Sequence, residues 1–468
     1  MKTVFVTLPI GLTVRNILFT GVLDRLVSRG DVRVVAFTPV PDLAERYSGT
    51  NDNLIFEPLP IRNRYRLTGL LNHVLNLRFK RIIDDPSLTS LRLKRRWLRT
   101  VRPKKWLFES MIAQPFPKSK ILYRLLSALH SARLGIATEI PDIFKHYQPS
   151  MMFATNPTAM LEHDFLKYAK KVGIPTVGMI HSWDDLTTEG RIVVPVDRYF
   201  VWNQIMKEEL IKLHGASENQ ISVTGIPQFD PYADSISAKD KEHFLLEESL
   251  SPNKRTVLFA TSAGGDTPEE PEILERMVNA LNKTHPEDIQ FLVRIHRLDA
   301  VERYATITAP NVKFQVPGAR IAHLDDQRLM EQSDLLRLRD TLVYTDVMVN
   351  TASTISIDAA ALNKPVVNIK FDLHETDYIH SVRRYFDMIH YKPFIGSQAT
   401  CLATSFDEML AMIERYLDNP KLEHEQRSNL AETMCYKVDG KSADRISSFL
   451  LTALDEKPIP TKAGTASR

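Results

Sequence analysis

At 468 residues the chain is too long for one ordinary core, and two or three domains are expected. A content of 43% hydrophobic and 25% charged residues is that of a folded globular protein, not a disordered one. The only two cysteines, Cys401 and Cys435, stand far apart in no metal-type spacing, which argues against a disulfide scaffold or zinc site and for a reducing compartment.

In chain order, Thr3 to Thr7 reads as a short buried strand, followed by a loop with one glycine from Pro9 to Val14. Pro9 breaks the first apolar run, so it is not read as a secretion signal. Arg15 to Arg29 carries apolar residues at helical spacing, Val32 to Phe37 is a second strand, and Asp42 to Ser48 a short helix. This is the start of a doubly wound α/β domain. It lacks G-x-G-x-x-G, so no tightly bound dinucleotide is expected in this half.

A helical insertion from about 60 to 147 interrupts the alternation. Its 62–105 stretch is dense in Arg and Lys with few acids, interleaved with Leu91, Leu93, Trp97 and Leu98 and followed by Trp106. Basic plus aromatic residues on helices suit an anionic membrane surface or an anionic acceptor. A solvated helical face with Trp97 and Trp106 in the core is the alternative; no nucleic-acid module is visible.

Strands are then expected at Met151 to Ala154, Pro175 to Ile180, Asp197 to Trp202 and Ile221 to Gly225, with helices at Ala159 to Lys171 and Gln204 to His214. The N-terminal domain therefore spans 1–231, and 232–254 reads as a linker. A second domain, 255–454, contains strands at Thr256 to Thr261, Phe291 to Ile295, Asn311 to Val316 and Val347 to Asn350, and its later helices end with Asp444 to Leu454. Residues 455–468 are expected to be disordered. The fold class is α/β: two Rossmann-like domains facing across a cleft, with a helical basic insertion in the first.

Distinctive turns fall at the carboxyl ends of the predicted strands, where such sheets build their sites. The most informative is Val349 to Leu362, followed by Asn363-Lys364-Pro365-Val366: a buried strand, a small hydroxyl-rich turn, a helix start and a second buried strand. The helix start, with Ser353 and Thr354, offers N–H groups and a positive dipole end to an anion, and Asp358 lies where a carboxylate could reach a ribose hydroxyl. An ordinary βαβ unit with a Ser/Thr cap fits the same residues. Gly264 and Gly265 are candidates for a phosphate-cradling turn, and Arg294 and His296 for neutralising a leaving diphosphate. His181 is the candidate general base, with Asp184 or Asp185 to orient it or act instead. A histidine merely satisfied by a hydrogen bond is the plain alternative. No metal-ligand spacing, nucleophile elbow or Walker lysine loop is found.

These residues resemble the GT-B glycosyltransferases, in particular bacterial surface-polysaccharide transferases and CDP-glycerol glycerophosphotransferases. The resemblance rests on His181-Ser182-Trp183-Asp184-Asp185-Leu186-Thr187, on Val201-Trp202-Asn203 with His214-Gly215 and Val223-Thr224-Gly225-Ile226-Pro227, on Arg294-Ile295-His296-Arg297, and on Ser353 to Asp358 with Lys364-Pro365-Val366. It covers about Ser150 to Leu451. It implies a metal-independent transferase that takes a nucleotide-sugar as substrate, needs no cofactor, and acts on a surface-glycan or lipid-linked acceptor. His181 would serve the acceptor, and His296, Ser353 and Thr354 the donor phosphates. The Gly-Thr-Pro-Leu-Lys turn of glycerophosphotransferases does not follow His181, which favours a sugar donor. A CDP-glycerol-type transferase, a nucleotide-sugar 2-epimerase and a non-catalytic scaffold are the alternatives. A cytoplasmic location, peripheral at the inner face of the membrane, is expected.

Overall fold

The computed structural model describes residues 1–40, 51–60, 99–113, 120–133, 135–234, 238–263, 267–320, 328–378 and 380–456, with isolated positions 43, 45, 47, 72, 75 and 76. They form two compact units, one from residues 1–84, 107–227 and 441 onward, the other from 85–106 and 228–440.

The first unit is built on seven strands: β1 (Lys2–Thr7), β2 (Val32–Thr38), β3 (Leu54–Pro58), β4 (Met151–Ala154), β5 (Thr176–Met179), β6 (Arg198–Val201) and β7 (Ile221–Val223). All neighbours are parallel, in the order β3-β2-β1-β4-β5-β6-β7. Parallel strands must be covered on both faces, hence the unbroken apolar run Val4-Phe5-Val6, fully buried in β1. Phe5 packs edge-on against Phe37 and Phe144, each at 4.9 Å between ring centroids, and Phe165 closes on Phe37 at 4.5 Å. Strand order reverses between β1 and β4, which puts the unit's ligand-binding crevice at the loops after β1 and β4, with the loop after β5 beside them.

The second unit has six parallel strands: β8 (Arg255–Ala260), β9 (Ile289–Arg294), β10 (Val312–Gln315) and, beyond the two-residue hairpin strands β11 (Ala319–Arg320) and β12 (Arg328–Leu329), β13 (Val347–Asn350), β14 (Val366–Ile369) and β15 (Cys401–Ala403). Their order is β10-β9-β8-β13-β14-β15, with the reversal between β8 and β13. Alternate residues of β8 enter different cores: Val257 and Phe259 join Phe291 and Met409, whereas Leu258 and Ala260 join Leu338 and Leu342.

The domain boundaries differ from the sequence reading in two ways. The helix Ala238–Glu247, within the expected linker, belongs to the second unit, because Phe244, Leu245 and Leu250 are core residues there. The last helix, Ser442–Asp455, belongs to the first unit, not the second. Its buried Ile446, Leu450 and Leu454 supply the driving force. Phe449 meets Phe200 edge-on at 5.0 Å, Arg445 Nε donates to the Thr224 carbonyl at 2.8 Å, and Lys2 Nζ reaches the Leu454 carbonyl at 2.8 Å. The short edge strands β3 and β15 were not expected from sequence. Residues 457–468, expected to be disordered, lie outside the described residues, as does most of the basic 62–105 stretch.

Candidate active site

In the first unit, β5 delivers the chain to Ile180, and the turn His181-Ser182-Trp183-Asp184 leads into the single helical turn Asp185–Thr188. The turn is self-supporting. Ser182 Oγ donates to Asp184 Oδ1 at 2.6 Å, and the Asp184 carbonyl accepts from Thr187 and Thr188. Asp184 is thus used in building the turn. Asp185 instead faces the histidine, with Oδ2 2.6 Å from His181 Nδ1 and 3.2 Å from the Ser182 N–H. Burial alone would push the imidazole down, but the Asp185 carboxylate, helped by Asp184 and Glu189, more than reverses this and raises His181 above its ordinary value. The carboxylate 2.6 Å from Nδ1 favours the proton on that nitrogen, which leaves Nε2 as the basic one.

Sequence reasoning missed a further ionisable group in this region. Glu162 is completely buried at the strand ends, accepting from Thr7 Oγ1 at 2.6 Å and from the Asn156 N–H at 3.1 Å. Burial pushes its carboxyl up to about 8, against the hydrogen bonds from Thr7, Asn156 and Thr155 and the pull of His181. It lies within the helix expected at Ala159 to Lys171 and was not singled out there.

In the second unit, the loops that follow β8 and β13, on either side of the strand reversal, are tied by another buried acid. Glu270 accepts from the Ser262 N–H at 2.9 Å, Ser262 Oγ at 2.7 Å and Thr351 Oγ1 at 3.0 Å. Its neighbour Glu269 takes the N–H of Leu373 at 2.7 Å, fixing the segment after β14. Ser353 and Thr354 occupy the turn between β13 and the helix Ile355–Ala361, as the sequence predicts, and both are partly exposed. The helix start is fastened to the sheet through Ser356, whose Oγ lies 3.1 Å from Asn350 Nδ2 and 3.2 Å from Asn368 Nδ2.

Arg294 and His296 sit at and just beyond the end of β9. The guanidinium is buried, bonded through Nη1 to Gln315, and burial lowers it to about 10; Nη2 has no hydrogen-bond partner among the described residues. His296 is held by its own backbone, whose N–H donates to Thr261 Oγ1 at 2.8 Å, while Nδ1 accepts from the Leu298 N–H at 3.2 Å. Burial, reinforced by Arg297, lowers this ring to about 4, so it is neutral at physiological pH, with Nε2–H as its donor. Asp358 is buried, and its Oδ1 accepts from Tyr232 Oη at 2.7 Å and Gln228 Nε2 at 3.5 Å. Its carboxylate anchors the segment after residue 227 to the helix. Gly264 and Gly265 lie outside the described residues. The structure therefore groups His181 with Asp184 and Asp185 on one unit, and Arg294, His296, Ser353, Thr354 and Asp358 on the other. Among the described residues no group of three or more His, Cys, Asp or Glu could hold a metal ion.

Two parallel α/β units, each with its polar side chains gathered at the strand ends, define the GT-B class. The chain belongs to the CDP-Glycerol:Poly(glycerophosphate) glycerophosphotransferase family, whose match runs over residues 171–452 and takes in both groups of candidate residues except Glu162. It is 24% identical over 268 residues to the teichoic acid poly(ribitol-phosphate) polymerase of Bacillus spizizenii, covering 55% of this chain and 38% of that protein. It is 29% identical over 119 residues to the processive diacylglycerol beta-glucosyltransferase of Staphylococcus epidermidis, covering 25% of this chain and 28% of that one. The chain thus matches less than half the length of these curated relatives. In fold it is similar to the UDP-GlcNAc 2-epimerase from Neisseria meningitidis, with a TM-score of 0.53, 11% identity, and coverage of 97% of this chain and 100% of that one.

Proposed function

We propose that this chain transfers a unit from a nucleotide-activated donor to a hydroxyl of a surface polymer or lipid-linked acceptor, without a metal ion. The observation that carries the reading is the 2.6 Å pairing of His181 Nδ1 with Asp185 inside the family-matched segment. His181 Nε2 takes the acceptor's proton as its oxygen attacks. His296 Nε2–H and the Ser353 and Thr354 hydroxyls, with the amides around them, stabilise the charge gathering on the departing nucleotide. The family match favours a polyol phosphate as the transferred unit, in which case the new bond is to phosphorus and a nucleoside monophosphate leaves. The glucosyltransferase likeness, and the missing Gly-Thr-Pro-Leu-Lys turn, favour a sugar, with the bond to the anomeric carbon and a nucleoside diphosphate leaving. The test is incubation, in EDTA, with CDP-glycerol, other nucleotide-activated polyols and nucleotide-sugars, with and without a hydroxyl-bearing acceptor. Acceptor-dependent release of monophosphate supports the first reading and of diphosphate the second. Interconversion without acceptor, or binding without turnover, overturns both. Ser353→Ala with Thr354→Ala is expected to raise the donor KM by about tenfold, on the order of one lost charge-assisted hydrogen bond; an unchanged KM removes this turn from the donor site.

An anionic membrane is the proposed surface on which the protein works. No described helix is long and apolar enough to cross a membrane. The helix Pro103–Ala113 instead exposes Leu107, Phe108 and Met111, preceded by exposed Arg99 and Arg102, with Arg99 over the Trp106 ring at 5.1 Å. The helix Lys120–Arg133 exposes Ile121, Leu125 and Leu129, four residues apart on one face. Apolar side chains beside cations fit an interface of acyl chains and acidic headgroups. The protein is expected to pellet with vesicles containing anionic lipid, to be released by high salt, and to lose pelleting on Leu125→Glu with Leu129→Glu. Equal pelleting with neutral vesicles, or none with anionic ones, leaves only a solvated face.

A further inference from the structure

The turn that carries His181 and Asp185 is pinned at both ends by ring N–H groups from neighbouring elements. Trp202, fully buried just beyond β6, donates its indole N–H to the carbonyl of Ile180 at 3.1 Å. His214 places Nε2 3.0 Å from the carbonyl of Leu186. Those carbonyls belong to the residues immediately before His181 and immediately after Asp185. Burial lowers His214 to about 4, so its ring is neutral at physiological pH and Nε2–H is the donor. One short element joins the two pins. Asn203 accepts the Met206 N–H at 3.0 Å and caps the helix Gln204–Glu209. The helix then widens over Leu210–His214 and stops at Gly215, whose φ of 72° is left-handed.

We propose that Trp202 and His214 are positioning residues of the transfer reaction, their N–H groups fixing the backbone on both sides of the His181–Asp185 pair. The proposal rests on the reading of His181 as the proton acceptor. The chemistry needs the imidazole both aimed and charged correctly, and the Asp185 carboxylate at 2.6 Å does both. Freeing either carbonyl lets the short turn relax and draws Asp185 away from Nδ1. A displacement on the order of 1 Å at a catalytic group can cost as much as about a hundredfold in rate. It also has a second signature: drawing the Asp185 carboxylate away removes the largest raising influence on His181, leaves only Asp184 and Glu189 against burial, and lowers its pKa.

The experiment is the pH profile of kcat/KM for the full chain carrying Trp202→Phe, His214→Ala or His214→Gln. Phenylalanine keeps the buried ring and removes only the donor; glutamine returns an N–H near the place of Nε2. Trp202→Phe and His214→Ala are each expected to lower kcat by about tenfold, to leave the donor KM within about twofold, and to shift the acidic limb to lower pH; His214→Gln is expected to restore both rate and limb. A uniform loss of activity with the acidic limb in place means a structural role only and overturns the proposal, as does unchanged kcat. His181→Ala is run beside them. If it retains turnover, the reading of His181 itself has failed; if it is inactive while the other limbs stay put, this proposal alone has failed.

Discussion

His181→Ala is expected to lower turnover by about a thousandfold, in the middle of the range for removing a general base, with nucleotide-donor binding retained. The donor-binding candidates all follow other strands, β8, β9 and β13, so truncating an imidazole after β5 removes none of their atoms. Asp185→Asn is expected to be nearly as damaging. An amide can turn its NH2 toward Nδ1, which favours the tautomer that protonates Nε2 and leaves no base for the acceptor. Because Asp185 raises His181, the acidic limb of the wild-type rate should lie above the ordinary imidazole value. Steady-state turnover and donor binding by calorimetry check these outcomes. Undiminished turnover in His181→Ala removes the residue from the reaction.

Glu162→Gln is expected to change the pH dependence of stability. The carboxyl is wholly buried and raised from about 4.5 to about 8, so between those values the folded protein holds a proton that the unfolded chain has released. The contribution is full below about 4.5 and is lost as the pH rises through about 8. Ionising the buried group there costs up to about 5 kcal/mol, taking 1.36 kcal/mol for each pH unit of the displacement. Glutamine keeps an oxygen to accept from Thr7 and never ionises. The variant should therefore melt higher than the parent at pH 9, and the gap should close by pH 5. Parallel melting curves across that range would mean that Glu162 does not hold its proton in the folded state.

Much of the fold was legible because parallel strands buried on both faces leave unbroken apolar runs: β1, β8, β9 and β13 all read directly from the chain. The edge strands β3 and β15 did not: β3 ends in Glu57 and Pro58, and β15 is only three residues long. Most of the candidate site was legible for a related reason. Its residues fall in loops at strand ends, and His181, Arg294, His296, Ser353 and Thr354 are all found there. The choice between Asp184 and Asp185 was not legible, because adjacent acids look alike until the turn sends one to Ser182 and the other to His181.

Asp358 marks a further boundary. Its place on the first turn of a helix was readable, but its engagement by Tyr232 and Gln228, more than a hundred residues earlier, was not. Glu162 and Glu270 were not singled out from the sequence and are buried fasteners of the loops at the strand ends.

Local periodicity and the small residues at strand ends determined, without coordinates, that the chain makes two doubly wound sheets and where along it the polar turns lie. Tertiary structure alone decided which unit the helix Ser442–Asp455 covers, which acid meets His181, and which carboxyls are shut away from water. Periodicity tells a residue which face of its own element it occupies. What that face meets is set by strand order, and the partners so chosen lie anywhere along the chain.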